Sequence, residues 1–113
     1  MKSKDKIIVG KMIKYCNDSI KYVSDSDFEN FSNNELHLTY SVFALSQLGE
    51  LSTKLDKDFK EKKNAIPWNA LRSIRNRIVH DYDGVQHRVL WDTLTNDIPK
   101  LITQLEEILK FEK

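Results

Sequence analysis

A chain of 113 residues, 40% hydrophobic and 31% charged, is long enough for one domain spanning 1–113 and too short for two. Three glycines and two prolines favour long uninterrupted elements over many short strands, and the single cysteine, Cys16, excludes an internal disulfide or a cysteine-based zinc site. A formal net charge of +1 excludes a protein that grips nucleic acid by bulk charge alone.

Apolar residues recur at spacings of three and four from Ile8 through Met12, Tyr15, Cys16, Ser19, Ile20 and Val23, which predicts an amphipathic helix over about 4–24. Cys16 lies within that stripe and reads as core. Ser24-Asp25-Ser26-Asp27 supplies capping residues that end it, and Phe28 with Phe31 reads as a short apolar turn over the core. Asn33-Asn34 offers a cap for a helix running to about Asp56, with Leu36, Tyr40, Phe43, Leu48, Leu51 and Leu55 as its expected buried stripe. Gly49 inside that helix weakens it by up to about 1 kcal/mol against alanine and marks the close approach of another helix. Glu50, a charge within that apolar stripe, requires a cationic partner, either Arg75 or an arginine of a second copy.

The lysine-rich stretch 54–64 reads as a loop or a frayed helix end, and its lysines, 54–63, either guide a polyanion or form a solvated loop. Pro67 suits a helix start, and the helix it opens runs to about His80. Asp83-Gly84 breaks the chain. A further helix follows over about 85–96 with Val89, Leu90 and Leu94 in its stripe, and Asp97 caps a last one that carries Leu101, Ile102, Leu105, Ile108 and Leu109. No segment alternates like a strand. The fold class is all-α, a bundle of four main helices with one extra short or broken piece.

Charge is unevenly spread: residues 1–24 carry +4, 25–53 carry −5, 54–77 carry +5 and 78–113 carry −3. A basic middle between acidic neighbours either steers a polyanion or is simply a set of solvated helix faces. No apolar run approaches the ~20 residues of a membrane span, and the N-terminus lacks a signal-like apolar block, so the expected compartment is the cytoplasm.

The stretch from Ala70 to Tyr82 carries the chemistry. On a helix, Ala70, Leu71, Ile74 and Ile78 fall on one side and are expected to face the core, while Asn69, Arg72, Ser73, Asn76 and His80 gather on the other and Arg75 sits at the border. Arginine forks suit phosphate oxygens, and histidine moves protons near neutral pH. A polar face in water is the plain alternative. His37 and His87 have no metal-ligand spacing with His80. Trp68 and Trp91 read as core or interface aromatics, with base stacking open for Trp68.

Arg75-Asn76-x-x-x-His80-x-Tyr82 resembles the R-x4-H signature of HEPN ribonucleases, in the form found in the HepT family. Gln47-Leu48-Gly49-Glu50, Ile66-Pro67-Trp68, and Trp91 followed by Asp97-Ile98-Pro99-Lys100-Leu101 resemble further segments of that family in the same order. Ser73-Ile74 departs from the Gly-Met often found there. The resemblance implies a HEPN-type four-to-five-helix up-and-down bundle that forms a homodimer, within which two R-x4-H helices build one cleft. It implies a metal-independent endoribonuclease toxin of a type VII toxin–antitoxin system, with no cofactor. The RNA 2′-hydroxyl attacks its neighbouring phosphate and leaves a cyclic phosphate. His80 is then the general acid or base, Arg75 stabilises the phosphoryl charge, and Asn76 orients the phosphate or the histidine. Arg72 and Arg77 are candidate RNA contacts. The implied partner, besides RNA, is a nucleotidyltransferase antitoxin that attaches AMP to Tyr82, in an assembly that extends to a larger hetero-oligomer. The competing reading is a non-catalytic helical adaptor subunit of a nucleotidyltransferase.

Overall fold

The computed structural model describes residues 1–80 and 87–111, of which 77–80 as helical backbone alone. Its elements are α1 (Ser3–Ile20), α2 (Phe28–Ser32), α3 (Glu35–Thr53), α4 (Lys57–Lys62), α5 (Trp68–His80), α6 (His87–Asp92), a π-helical turn (Thr93–Asp97) and α7 (Ile98–Phe111). No strand occurs among the described residues, so the all-α expectation holds. The long helices lie side by side in the order α5, α3, α1, α7.

Val9, Met12 and Cys16 of α1 are fully buried, as the periodicity required. Helix α1 stops at Ile20 rather than near Ser24. Tight turns take over, with the Val23 N–H donating to the Ile20 carbonyl at 3.1 Å, and they still bury Val23. Asp27 caps α2 by accepting from the Asn30 N–H at 2.8 Å, and Phe31 is fully buried beneath it. Burial pushes the Cys16 thiol up to about 12. Thiolate is the reactive form, so the native chain is expected to resist a disulfide-exchange reagent at mildly alkaline pH and to react only with denaturant. Rapid stoichiometric labelling of the folded chain would contradict this.

Helix α3 starts where expected, with the Asn34 side chain accepting from the His37 N–H at 3.0 Å. Its second half buries the expected residues, Leu48 and Leu51, with Leu55 just beyond it, but its first half does not. Leu36 is 82% exposed and Phe43 is 48% exposed, while Ser41, Ala44, Leu45, Leu48, Gly49 and Ser52 are buried. Small residues let α1 and α5 approach α3 closely from both sides, Leu45, Leu48 and Leu51 fill the core beside them, and Leu36 and Phe43 are left outward. There Phe43 and Tyr40 meet Tyr15 and Tyr22 in an aromatic edge.

The stretch expected as a loop contains α4. One buried residue, Phe59, docks it, and the Asp56 backbone N–H donates to the buried Asp5 carboxylate at 3.2 Å. Lys2 and Lys4 pair with the Asp56 side chain. Local composition alone carries too little apolar signal to show such a helix.

Asp97 does not cap α7. Helices α6 and α7 run together through the π-helical turn, in which the Ile98 N–H donates to the Thr93 carbonyl. Two causes combine there. Pro99 has no N–H and its ring would clash with the carbonyl four residues back, which the wider turn relieves. The buried residues Leu90, Leu94 and Ile98 are spaced by four and four, which overshoots an α-helical turn by about 40° each time. The wide turn keeps all three on the core side.

Candidate active site

Gly49 fixes how α5 sits on α3. A Cβ placed on Gly49 would run into the Arg75 Cβ and come to 2.9 Å from the Leu71 carbonyl oxygen, so only glycine allows the two helices this close. The close approach expected from the sequence is thus found, and it brings Glu50 alongside Arg75. The Arg75 Nη2 lies 2.9 Å from the Glu50 Oε2, and its Nη1 donates to the Asn76 Oδ1 at 3.0 Å. The Arg75 and Glu50 side chains are 36% and 41% exposed, so the pair stands at the surface, open to a ligand. Glu50 therefore has the cationic partner that its position called for, within the same chain.

These groups line one side of an open groove of about 380 Å³ between α3, α4 and α5, together with Ser52, Thr53, Lys60, Trp68, Asn69 and Arg72. Three cations face it against one carboxylate, so it attracts anions. The Trp68 Nε1 donates to the carbonyls of Lys60 at 3.1 Å and Lys63 at 3.0 Å, and the Lys60 Nζ donates to the Ser52 carbonyl at 3.2 Å. Arg72, Arg75 and Asn76 thus come together in one groove. Lys60 and Trp68 join them, although the sequence left the lysine run and the tryptophan without a settled role. The signal for Lys60 was its place next to Phe59, which anchors α4.

His80 lies one helical turn beyond Asn76 on the backbone of α5, but its side chain and that of Arg77 lie outside the described residues, as does all of Tyr82. His37 and His87 are placed elsewhere: His37 stacks near Tyr22 at the start of α3, and His87 shares a 2.7 Å hydrogen bond with the Ser32 hydroxyl. Among the described residues no three His, Cys, Asp or Glu side chains gather as metal ligands would.

On its other flank α5 is only partly covered. Ala70 is exposed, not core as the helical wheel suggested, while Ile74 is half-buried and packs against the core at its edge. An apolar groove of about 280 Å³ remains there, lined by Pro67, Ala70, Ile74, Ile98 and Leu101 among others. No described helix is long and apolar enough to cross a membrane.

The sequence profile of the family described as "Ribonuclease HepT-like" matches residues 12–108. The chain is similar to a "Putative RNase" of Caldanaerobacter subterraneus subsp. tengcongensis, 33% identical over 102 residues, which is 90% of this chain and 91% of that one. It is similar to a "Putative RNase" of Methanocaldococcus jannaschii, 34% identical over 88% of this chain and 85% of that one. A "Probable ribonuclease HepT" of Thermococcus cleftensis is 36% identical over 74% of this chain and 76% of its own. No solved structure gives a significant match.

Proposed function

The chain belongs to the HepT-like ribonuclease family, and from that membership we propose that it is a metal-independent endoribonuclease whose site is the polar face of α5. The observation that carries this reading is Arg75, held between Glu50 and Asn76 at the edge of a cationic groove. A guanidinium fixed in this way meets a phosphate without first giving up side-chain freedom.

RNA brings its own nucleophile. The 2′-hydroxyl attacks the adjacent phosphorus, the 5′-oxygen leaves, and a cyclic phosphate remains. The work left to the protein is to take one proton, give one proton and stabilise the equatorial oxygens. His80 moves the protons and Arg75 binds the oxygens. Asn76, bonded to Arg75, orients the guanidinium.

Positions 75 and 80 lie about 140° apart around α5 and about 7.5 Å apart along it. That spacing supports a site shared by two copies, in which each α5 brings its arginine or its histidine to one linkage. In this reading the activity is that of a toxin in a type VII toxin–antitoxin pair. A nucleotidyltransferase partner restrains it by adding AMP to Tyr82, which puts negative charge where RNA phosphates bind.

The test is incubation of the purified chain with single-stranded RNA in excess chelator. Internal cuts ending in 2′,3′-cyclic phosphate are expected, and the cutting species should sediment as a dimer. Intact RNA under every condition, with nucleotide binding retained, would replace this reading with that of a non-catalytic adaptor.

A further inference from the structure

We infer that the groove between α3, α4 and α5 is a subsite for one nucleotide of the single-stranded chain, its phosphate held by Lys60 and Arg72 and its base laid on the Trp68 indole. That this nucleotide adjoins the cleaved linkage rests on the ribonuclease reading; that it binds does not.

Four observations lead there. The volume, about 380 Å³, falls at the lower end of the ~300–1,000 Å³ typical of small-molecule sites, the size of a single nucleotide rather than a folded element. The indole is fixed in advance: its N–H is bonded to two carbonyls, and its ring leans on Phe59 at a centroid distance of 6.4 Å. A ring already immobilised loses little freedom when a base stacks on it, and stacking of this kind accepts any base.

Arg72 has no carboxylate partner among the described residues, unlike Arg75 in the same groove. An unpaired guanidinium beside an ammonium suits an anion. Lys60 gives one of its three donors to Ser52, which aims the ammonium while leaving donors for a ligand. Finally, Arg72 and Arg75 lie one turn apart on α5, so a strand whose reacting phosphate meets Arg75 runs on towards Arg72. Asn69, also lining the groove, supplies a donor and an acceptor for a base edge.

The experiment reads indole emission. The chain holds two tryptophans, and Trp91 sits apart from the groove, against Phe28 and Phe31. The probes are uridine 5′-monophosphate, adenosine 5′-monophosphate, and an RNA trinucleotide made uncleavable by a 2′-deoxy substitution. Inorganic phosphate serves as a control without a base. Quenching by the nucleotides but not by phosphate is expected. It should persist in Trp91→Phe and vanish in Trp68→Phe. Arg72→Ala and Lys60→Gln should each weaken trinucleotide binding about tenfold, with unchanged circular dichroism and melting.

Trinucleotide binding that leaves Trp68 emission and the affinities of both variants unchanged would overturn the subsite. If RNA is cut but an added nucleotide raises kcat/KM equally in wild type and both variants, the subsite falls and the ribonuclease reading stands. If no RNA is cut while mononucleotides quench Trp68 in an Arg72-dependent way, the subsite stands and the ribonuclease reading falls.

Discussion

Replacing Arg75 with alanine is expected to lower the single-turnover rate of RNA cleavage by about 10²–10³, the usual loss when one preorganised donor to a developing oxyanion is removed. The fold should survive. Alanine keeps the Cβ that packs against Gly49, and the lost ion pair is more than a third exposed at both ends, where such pairs contribute little. Arg75→Lys should rescue poorly, because a point charge cannot hold Glu50, Asn76 and a phosphate at once as the planar fork does. His80→Ala should lose about 10²–10⁴. Groups that act in one step are not additive, so the double variant should fall little below the worse single one. Gel-resolved cleavage of end-labelled RNA measures all four. Wild-type rates in Arg75→Ala and His80→Ala would remove α5 as the site.

The second large effect is on stability and separates two glycines of opposite sign. Gly49→Ala gains up to about 1 kcal/mol of helix propensity. It also drives a methyl group into the Arg75 Cβ and the Leu71 carbonyl, and backbone cannot yield as a flexible side chain does. Overpacking of this kind costs about 1–3 kcal/mol, so the clash wins. Melting should fall by several degrees, at roughly 4–8 °C per kcal/mol for a domain near this size. Gly10 has nothing within 4 Å of its would-be Cβ, so Gly10→Ala should gain the propensity term alone and melt higher. Because α5 must shift to admit the Gly49 methyl, cleavage should drop in Gly49→Ala and stay intact in Gly10→Ala. Thermal melts and cleavage rates of the two variants decide it, and melting shifts of the same sign would refute the helix contact.

The helices that were legible in the sequence are those whose buried side is marked by large apolar residues. Ile8, Met12 and Cys16 in α1, and Leu101, Leu105 and Ile108 in α7, all fall on the core. Helix α3 was found, and Leu48 and Leu51 lie on the core as read, but Leu36 and Phe43 do not. Its core side also holds Ser41, Ala44 and Gly49, and a periodicity of bulk cannot see small residues chosen to let neighbours in. Helix α4 was not legible because part of what holds it, the contact from Asp5, lies elsewhere in the chain, and the π-helical turn because the phase of Leu90, Leu94 and Ile98 beside Pro99 shows its effect only once the core is packed. For the site, a carboxylate within an apolar stripe was enough to demand a cation for Glu50, and Arg75 answers it. Lys60 and Trp68 were not placed, since only the packing of α4 against α5 brings them to the groove. The roles of His80 and Tyr82 continue to rest on the resemblance of the motif.

The carboxylate beside Arg75 has a consequence for how the groove meets polyanions in general. On single strands, log affinity falls with log salt by about 0.7 for each phosphate neutralised, because each contact sets a counterion free. A guanidinium already matched by Glu50 has less to gain from a passing phosphate than a bare one. The resting surface is therefore partly insulated from the bulk nucleic acid of its surroundings. Discrimination is left to whichever strand fits well enough to take the guanidinium over, rather than to whichever carries the most charge.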